Sequence, residues 1–371
     1  MKTLRVGVLR QERIDDYLKA AVPVVEEYFE QWSKDDSVPL FRSFSHLALA
    51  ISLTIFLGDD FRRKYGDEVI PMMAHYERDV QDPMLRILPF RLWGWCSAGR
   101  RTFKAQNRFD ELMVAEMKER LANPEKYAER SDYFNAVLEE FGDKFEACYG
   151  QHLISVVFAA HANVGMTTPW MFLHARRTPG ALEHWRSEVL AQCNDDDPLE
   201  TLTTEHASVQ RPYLEASIRE TARLYTNTLI LRLTTKPTQI AGHSLPAWTL
   251  VACSPLTSQR DESVFPDATT WNPERFIKDG AYASWFQRGE FIQFGMGMHA
   301  CPGEKLAKMT ILDAVIGTWM RKYEMEVVGG LKEGEVGIGG VGVEAAWTEE
   351  NLGTPSVRGE DVRVRVKLRG A

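Results

Sequence analysis

Cysteine is scarce in this chain: five residues in 371, at Cys96, Cys148, Cys193, Cys253 and Cys301. They are odd in number, scattered, and never spaced C-x-x-C, which argues against a disulfide framework and a structural zinc site and favours a reducing compartment. Long apolar runs are lacking too. The most apolar stretch, HLALAISLTIFLG from His46 to Gly58, falls short of the roughly 20 residues a membrane span needs and reads as a buried helix. No secretory signal is visible in the opening MKTLRVGVLRQERIDDYLKAAV, which is charged and amphipathic. An excess of basic residues is also missing: 44 Lys and Arg stand against 52 Asp and Glu, for a net charge of −8. That speaks against a general nucleic-acid binder, while leaving the local distribution of charge open. There is no internal repeat, no Gly/Ser linker, and no low-complexity block beyond VVGGLKEGEVGIGGVGVE.

What is present can fill a sizeable core, at 44% hydrophobic and 11% aromatic. From Gln11 to about Gly180 the apolar residues recur at three and four, as in ERIDDYLKAAVPVVEEYFEQW, where Pro23 marks a bend, and in AQNRFDELMVAEMKERLANP, which stops at Asn123-Pro124. HLISVVFAAHANVGMTTPWMFLHARRTPG is a long apolar helix closed by Pro179-Gly180. ALEHWRSEVLAQC is another helix, and VQRPYLEASIRETARLY an amphipathic one with Pro212 in its first turn. After Tyr225 the text alternates and is rich in Thr, Ile and Val, with turn signals at Gly242 and Pro246, so short strands are expected. DESVFPDATTWNPERFIKDG is loop-like, GEKLAKMTILDAVIGTWMRKYE a helix, and DVRVRVKL a strand. The expected fold class is mainly α with small β-sheets, in one domain over 1–371: 1–225 mostly helical, 226–300 short strands and a meandering loop, 301–322 a helix, and 323–371 strands.

Three motifs carry chemistry. Phe294, Gly297, Cys301 and Gly303 fit F-x-x-G-x-x-x-C-x-G, with a helical pattern directly behind. A sulfur there sits near helix N–H donors and the positive dipole end, which favours thiolate. The glycines let backbone N–H groups approach it and let a flat group lie against the loop. A lone cysteine is ordinarily a small buried hydrophobe; the full pattern favours a metal-ligating thiolate instead. The second motif is Glu220 and Arg223, three apart on one helix face. The third is Asn272-Pro273-Glu274-Arg275-Phe276, from which Arg275 can reach Glu220 and complete an Arg–Glu–Arg network.

In that order and spacing, these residues resemble the cytochrome P-450 family of haem-thiolate monooxygenases, over essentially the whole chain. The resemblance implies that Cys301 is the axial ligand of a haem b iron, that His299 and Arg232 contact haem propionates, and that Phe294, Gly295, Gly297 and Gly303 shape the cofactor loop. It assigns Glu220, Arg223 and Arg275 a structural role. A thiolate ligand pushes electron density onto iron and favours O–O cleavage. The expected activity is insertion of one oxygen atom from dioxygen into a lipophilic small molecule such as a sterol or terpenoid. NADPH electrons would arrive through a reductase, whose acidic face Lys305, Lys308, Arg321 and Lys322 would meet. Leu229, Ile230 and Leu231, with the 159–167 stretch, are expected to line the pocket.

The sequence departs from the family pattern in two places. Where the family places an acid followed by threonine over the haem, this chain has Ala162 and Asn163. Asparagine donates and accepts hydrogen bonds but is no acid, and the neighbouring His161 reads as a satisfied core histidine. AHANVGMTTPW resembles the branch of steroid 7α-hydroxylase, prostacyclin synthase and sterol 14α-demethylase, some of whose members isomerise a peroxide without a reductase. A peroxide-using isomerase or dehydratase is therefore an alternative expectation. The second departure is at the start, which reads like the part of the fold beyond the usual anchor, hinge and first sheet. A fold lacking roughly its N-terminal quarter is expected, with an inactive haem-binding remnant as the alternative of another class. The resemblance implies a cytoplasmic chain touching membrane only peripherally, or an endoplasmic-reticulum address if a full-length form carries an anchor.

Overall fold

Helices carry the chain to Tyr225 and short strands follow. The computed structural model describes residues 11–80, 82, 84–85, 90–144, 146–192, 211–225, 230–277, 285–329 and 361–370; the glycine-rich 330–360 stretch and Leu229 lie outside them. Helix α1 (Gln11–Lys34) runs unbroken through Pro23, which sits on the solvent side of the helix. After strand β1 (Val38–Pro39) comes α2 (Leu40–Leu57), buried on nearly every side. It is long and apolar enough to cross a membrane, but it is a core helix here, as its composition predicts. Its N-cap position is Pro39, which has no side-chain acceptor. The carboxylate of Asp361, far along the chain, fills that place by accepting from the N–H groups of Phe41 (3.0 Å) and Arg42 (2.9 Å).

Helices α3 (Asp59–Val80), α4 (Ser97–Ala122), α5 (Pro124–Tyr127) and α6 (Tyr133–Phe141) follow. Buried Arg120 joins α4 to the start of α6: it donates to Glu116 at 2.9 Å and to Asp132 at 2.7 Å, and also to the carbonyl of Leu57. Asp132 in turn caps α6 by accepting from Asn135 N–H.

The long α7 (Glu146–Arg177) passes through the middle and packs along α2. Gly165 makes the close approach possible, since a Cβ there would lie 2.9 Å from Ser45 Cα and 3.3 Å from the carbonyl oxygen of Phe44. Helices α8 (Ala181–Leu190) and α9 (Pro212–Tyr225) pack against its far end. There Trp170 stacks on Tyr225 with centroids 4.4 Å apart, and the Tyr225 hydroxyl meets His174 Nε2 at 2.7 Å.

Strands β2 (Ile230–Leu233) and β5 (Leu250–Cys253) pair antiparallel and flank the hairpin of β3 (Thr238–Ile240) and β4 (His243–Leu245). Helix α10 (Pro255–Gln259) leads into the meander. The helix expected over 301–322 is three pieces: α11 (Glu304–Met309), a π-helical Thr310–Ile316, and α12 (Gly317–Lys322). Its start is delayed past Cys301 by the Pro302-Gly303 turn. Strands β6 (Tyr323–Gly329) and β7 (Arg363–Leu368) close a three-stranded sheet in the order β1-β7-β6.

Two consequences are measurable. Gly165→Ala must push α2 from α7, because the obstructing atoms are backbone; a loss of about 1–3 kcal/mol is expected, read from urea unfolding. Burial, with Arg177 and Arg223 nearby, lowers the pKa of His174 from 6.5 to about 3. The unfolded chain therefore binds a proton below pH 6.5 that the folded chain refuses, and stability falls as pH drops from there towards 3. Between pH 7 and pH 5 this residue alone accounts for about 2 kcal/mol. His174→Gln is expected to flatten that slope of unfolding free energy with pH; an unchanged slope would refute the assignment.

Candidate active site

The site is built outward from Glu220, which is fully buried on α9. Arg223, one turn on and also fully buried, grips it with two parallel bonds, Nε to Oε2 and Nη2 to Oε1, both 2.8 Å. Arg275 Nε reaches Oε1 at 3.1 Å and the backbone N–H of Asn272 donates to the same oxygen at 2.9 Å. The rest of the Arg223 fork is satisfied by the carbonyls of Gln259 and Ala268 at 2.6 Å each and Thr270 at 3.3 Å. Asn272 accepts from Glu274 N–H and so caps the short 3₁₀ turn Pro273–Phe276 that carries Arg275. The Arg–Glu–Arg network expected from three weak motifs is thus a single closed unit that ties a long loop to α9.

That unit reaches the cysteine loop through Gln259. Its amide donates to the carbonyl of Arg223 at 3.1 Å, and its side-chain oxygen accepts from Ile292 N–H at 2.9 Å. Phe276 packs on buried Phe291, with centroids 5.0 Å apart. The loop is therefore held from behind, and within it Cys301 N–H donates to the carbonyl of Phe294 at 2.7 Å. Gly295 and Gly297 have φ of 74° and 64°, the left-handed region that favours glycine. A Cβ on Gly295 would also lie 3.2 Å from the carbonyl oxygen of His299.

Cys301 opens into a cavity of about 950 Å³, within the range typical of ligand sites. Phe294, Gly295, His299, Gly303, Arg232 and Asn163 line the same cavity. Along α7 its wall is formed by His152, Val156, Ala159, Ala160, Asn163 and Thr167, one face of the helix by spacing. Ile230 and Leu231 add to it as expected. Ala162 does not: it is buried and points away, because its position is a quarter-turn off that face. Gly297 lies within the loop, outside the lining. His161 is a core residue, its ring bonded to the carbonyl of Val157 at 3.0 Å and to Glu77 at 3.3 Å.

The N–H groups of Gly303 and Glu304 bond the Cys301 sulfur and favour thiolate, against desolvation of the thiol, which pushes the other way. One expectation about charge is corrected. Of the four cations expected to form a docking face, Lys308 is turned inward. It pairs with Glu304 at 2.8 Å and Glu215 at 3.1 Å and lies over the Phe294 ring. Lys322 pairs with Glu26, while Lys305 is exposed.

Sequence reasoning missed Gln259, whose role depends on three segments meeting. Thr167, the last residue of the 159–167 stretch expected to line the pocket, donates its hydroxyl to the carbonyl of Asn163 at 2.7 Å.

A helical body thus carries one thiol on a braced glycine turn that opens into a large and mainly apolar cavity. Among the described residues no three His, Cys, Asp or Glu side chains cluster to hold a bare metal ion. A metal at Cys301 would have to bring its other ligands, which a haem does. The family model "Cytochrome P450" matches residues 1–335, and the chain belongs to that family. It is 27% identical to cytochrome P-450 monooxygenase pytD of Aspergillus terreus, over 99% of this chain and 94% of that protein. It is 27% identical to cytochrome P-450 monooxygenase pyvB of Aspergillus violaceofuscus, over 88% of this chain but 65% of that protein's length. The fold is similar to that of retinoic-acid-bound cyanobacterial CYP120A1, with a TM-score of 0.79 and 19% identity over 99% of this chain and 78% of that one.

Removing one member of the buried network leaves two guanidinium groups without their carboxylate. Glu220→Ala is expected to cost about 3–5 kcal/mol, seen as a lowered unfolding midpoint or loss of soluble protein.

Proposed function

We propose that this chain is a haem-thiolate monooxygenase that inserts one oxygen atom from dioxygen into a lipophilic small molecule, with NADPH electrons delivered by a reductase. The observation that carries the reading is that Cys301, on its braced turn, and Asn163, on the central helix, face one apolar cavity. Cys301 Sγ would hold haem iron, with the Gly303 and Glu304 N–H groups stabilising the anionic sulfur. His299 and Arg232 would bond the haem propionates, and Phe294, Gly295, Gly297 and Gly303 would form the surface on which the cofactor rests. Bound haem supplies the redox and oxygen-activating chemistry.

The chain's own contribution is placement and proton handling. The apolar lining excludes water and accepts a lipophilic substrate. Asn163 can donate or accept a hydrogen bond but cannot release a proton at neutral pH, so protons would have to come through water or Thr167. That same feature supports a second reading, a peroxide-using isomerase on the same haem, which needs no proton relay from this helix. The fungal relatives named as monooxygenases favour the first.

The reduced protein with carbon monoxide is expected to show a haem-thiolate Soret band, and Cys301→Ser to abolish it; a band that persists in the variant would overturn the ligand assignment. Turnover dependent on NADPH and a reductase supports oxygen insertion, whereas turnover of a lipid peroxide without them supports the isomerase.

A further inference from the structure

Along α7 the cavity wall is polar at two places and apolar between them. Asn163, with Thr167 one turn on, is the first. His152 is the second, eleven residues earlier on the same face, three turns and about 16 Å away. Val156, Ala159 and Ala160 line the wall between. Helix α9, which braces the cysteine loop, packs on the opposite end of α7, where Tyr225 stacks on Trp170. His152 therefore stands at the end remote from Cys301.

His152 is paired there. Its Nε2 lies 2.6 Å from the hydroxyl of Tyr133, the first residue of α6, and Tyr133 lines the cavity as well. The rings of Tyr133 and Phe56 meet at 88° with centroids 5.7 Å apart, which holds the phenol against α2. Neither side chain of the pair makes a second hydrogen bond among the described residues. Burial lowers the pKa of His152 from 6.5 and raises that of Tyr133 from 10.0 to about 12, so both are neutral at pH 7.

Two neutral groups of this kind hold one N–H and one O–H between them, and their mutual bond uses one of the two. If Tyr133 donates to Nε2, the Nδ1–H of His152 is left as a donor and the phenol oxygen as an acceptor. If Nε2–H donates, the Tyr133 O–H is left as the donor and Nδ1 as the acceptor. Either way the pair offers one donor and one acceptor to the cavity. A shielded donor without a partner is costly, so a ligand that fills it is favoured. Ser52, the polar lining residue of α2, makes no such offer, because its hydroxyl donates to the carbonyl of Ala48 at 2.8 Å.

We propose that Tyr133 and His152 are specificity-determining residues that bind a hydroxyl group at one end of the substrate and so place the other end of its apolar body before Cys301. A hydroxyl both donates and accepts, as the pair does. Being uncharged, it needs no counter-ion, and among the described residues no Asp or Glu lines the cavity. Val156, Ala159 and Ala160 then cover the carbon skeleton. The substrate class is an elongated lipophilic alcohol oxidised far from its hydroxyl. This deepens the monooxygenase reading of the same cavity and rests on it.

The test uses the haem-loaded chain and two series of N-alkylimidazoles with octyl, decyl and dodecyl tethers, one series ending in a hydroxyl and the other in a methyl group. The imidazole anchors each probe on haem iron, and binding is read from the shift of the Soret band. Wild type is expected to bind the hydroxyl-ended probe about tenfold more tightly than its methyl-ended twin at one tether length. In the Tyr133→Phe/His152→Leu double variant that preference is expected to vanish while affinity for the methyl-ended probe is kept. Tyr133→Phe alone leaves an imidazole donor and is expected to keep part of the preference. Equal binding of the two series by wild type at every length overturns the proposal, whether or not any variant folds. So does a double variant that keeps the wild-type preference, or one that loses affinity for both series equally, which would make the pair a purely structural contact. The carbon-monoxide band of each protein reports ligation by Cys301 separately, so failure of the pair is distinct from failure of the haem reading.

Discussion

The buried carboxylate of Glu220 is the interaction on which the rest of the site depends. A charge with no solvent exposure is tolerated only when its oxygens are filled, and here two guanidinium groups and a backbone N–H fill them. The satisfaction is mutual. Arg223 spends its remaining donors on carbonyls of the meander, so the loop cannot leave without stranding a buried cation. Irregular backbone of this length would ordinarily be mobile; a closed polar network makes it a fixed wall. Gln259 then passes that rigidity to the cysteine loop, and the sulfur is placed by a chain of bonds that begins at a glutamate on another element.

The second constraint is the contact between the two most apolar helices. Gly165 lets α7 lie against the backbone of α2, and this fixes which face of α7 is turned to the cavity. The consequence is chemical. Asn163 faces the space before Cys301, Ala162 and His161 are turned into protein, and the face that would carry a proton relay bears an amide and, one turn on, Thr167. The loop that carries Cys301 and the helix that carries Asn163 are separate elements, held by separate contacts, that meet at one cavity.

Much of this was legible in sequence. The helix-to-strand change at Tyr225, the buried α2, the strands at 230–253 and the cysteine loop all follow from periodicity and turn residues, which are local. The Arg–Glu–Arg network was legible too, because its members lie in short patterns even though they are far apart. Less legible were features that depend on what lies across the gap. Asp361 caps α2 from the other end of the chain; Lys308, read as a surface cation, is drawn in by Glu215; and the helix behind Cys301 is interrupted by a π-helical segment.

By itself the sequence determined the element types, the loop cysteine and its glycine turn, and the residues of the buried network, since each is written in spacing along a few turns of chain. Tertiary structure alone decided which way Asn163 and Ala162 face, whether Lys308 is a docking charge or a half-buried partner of Glu215, and the net shift of the Cys301 thiol. The last is a competition between nearby N–H donors, which are visible in the motif, and burial by distant segments, which is not. Desolvation depends on every atom that packs around a group, and those atoms are assembled only when the chain folds.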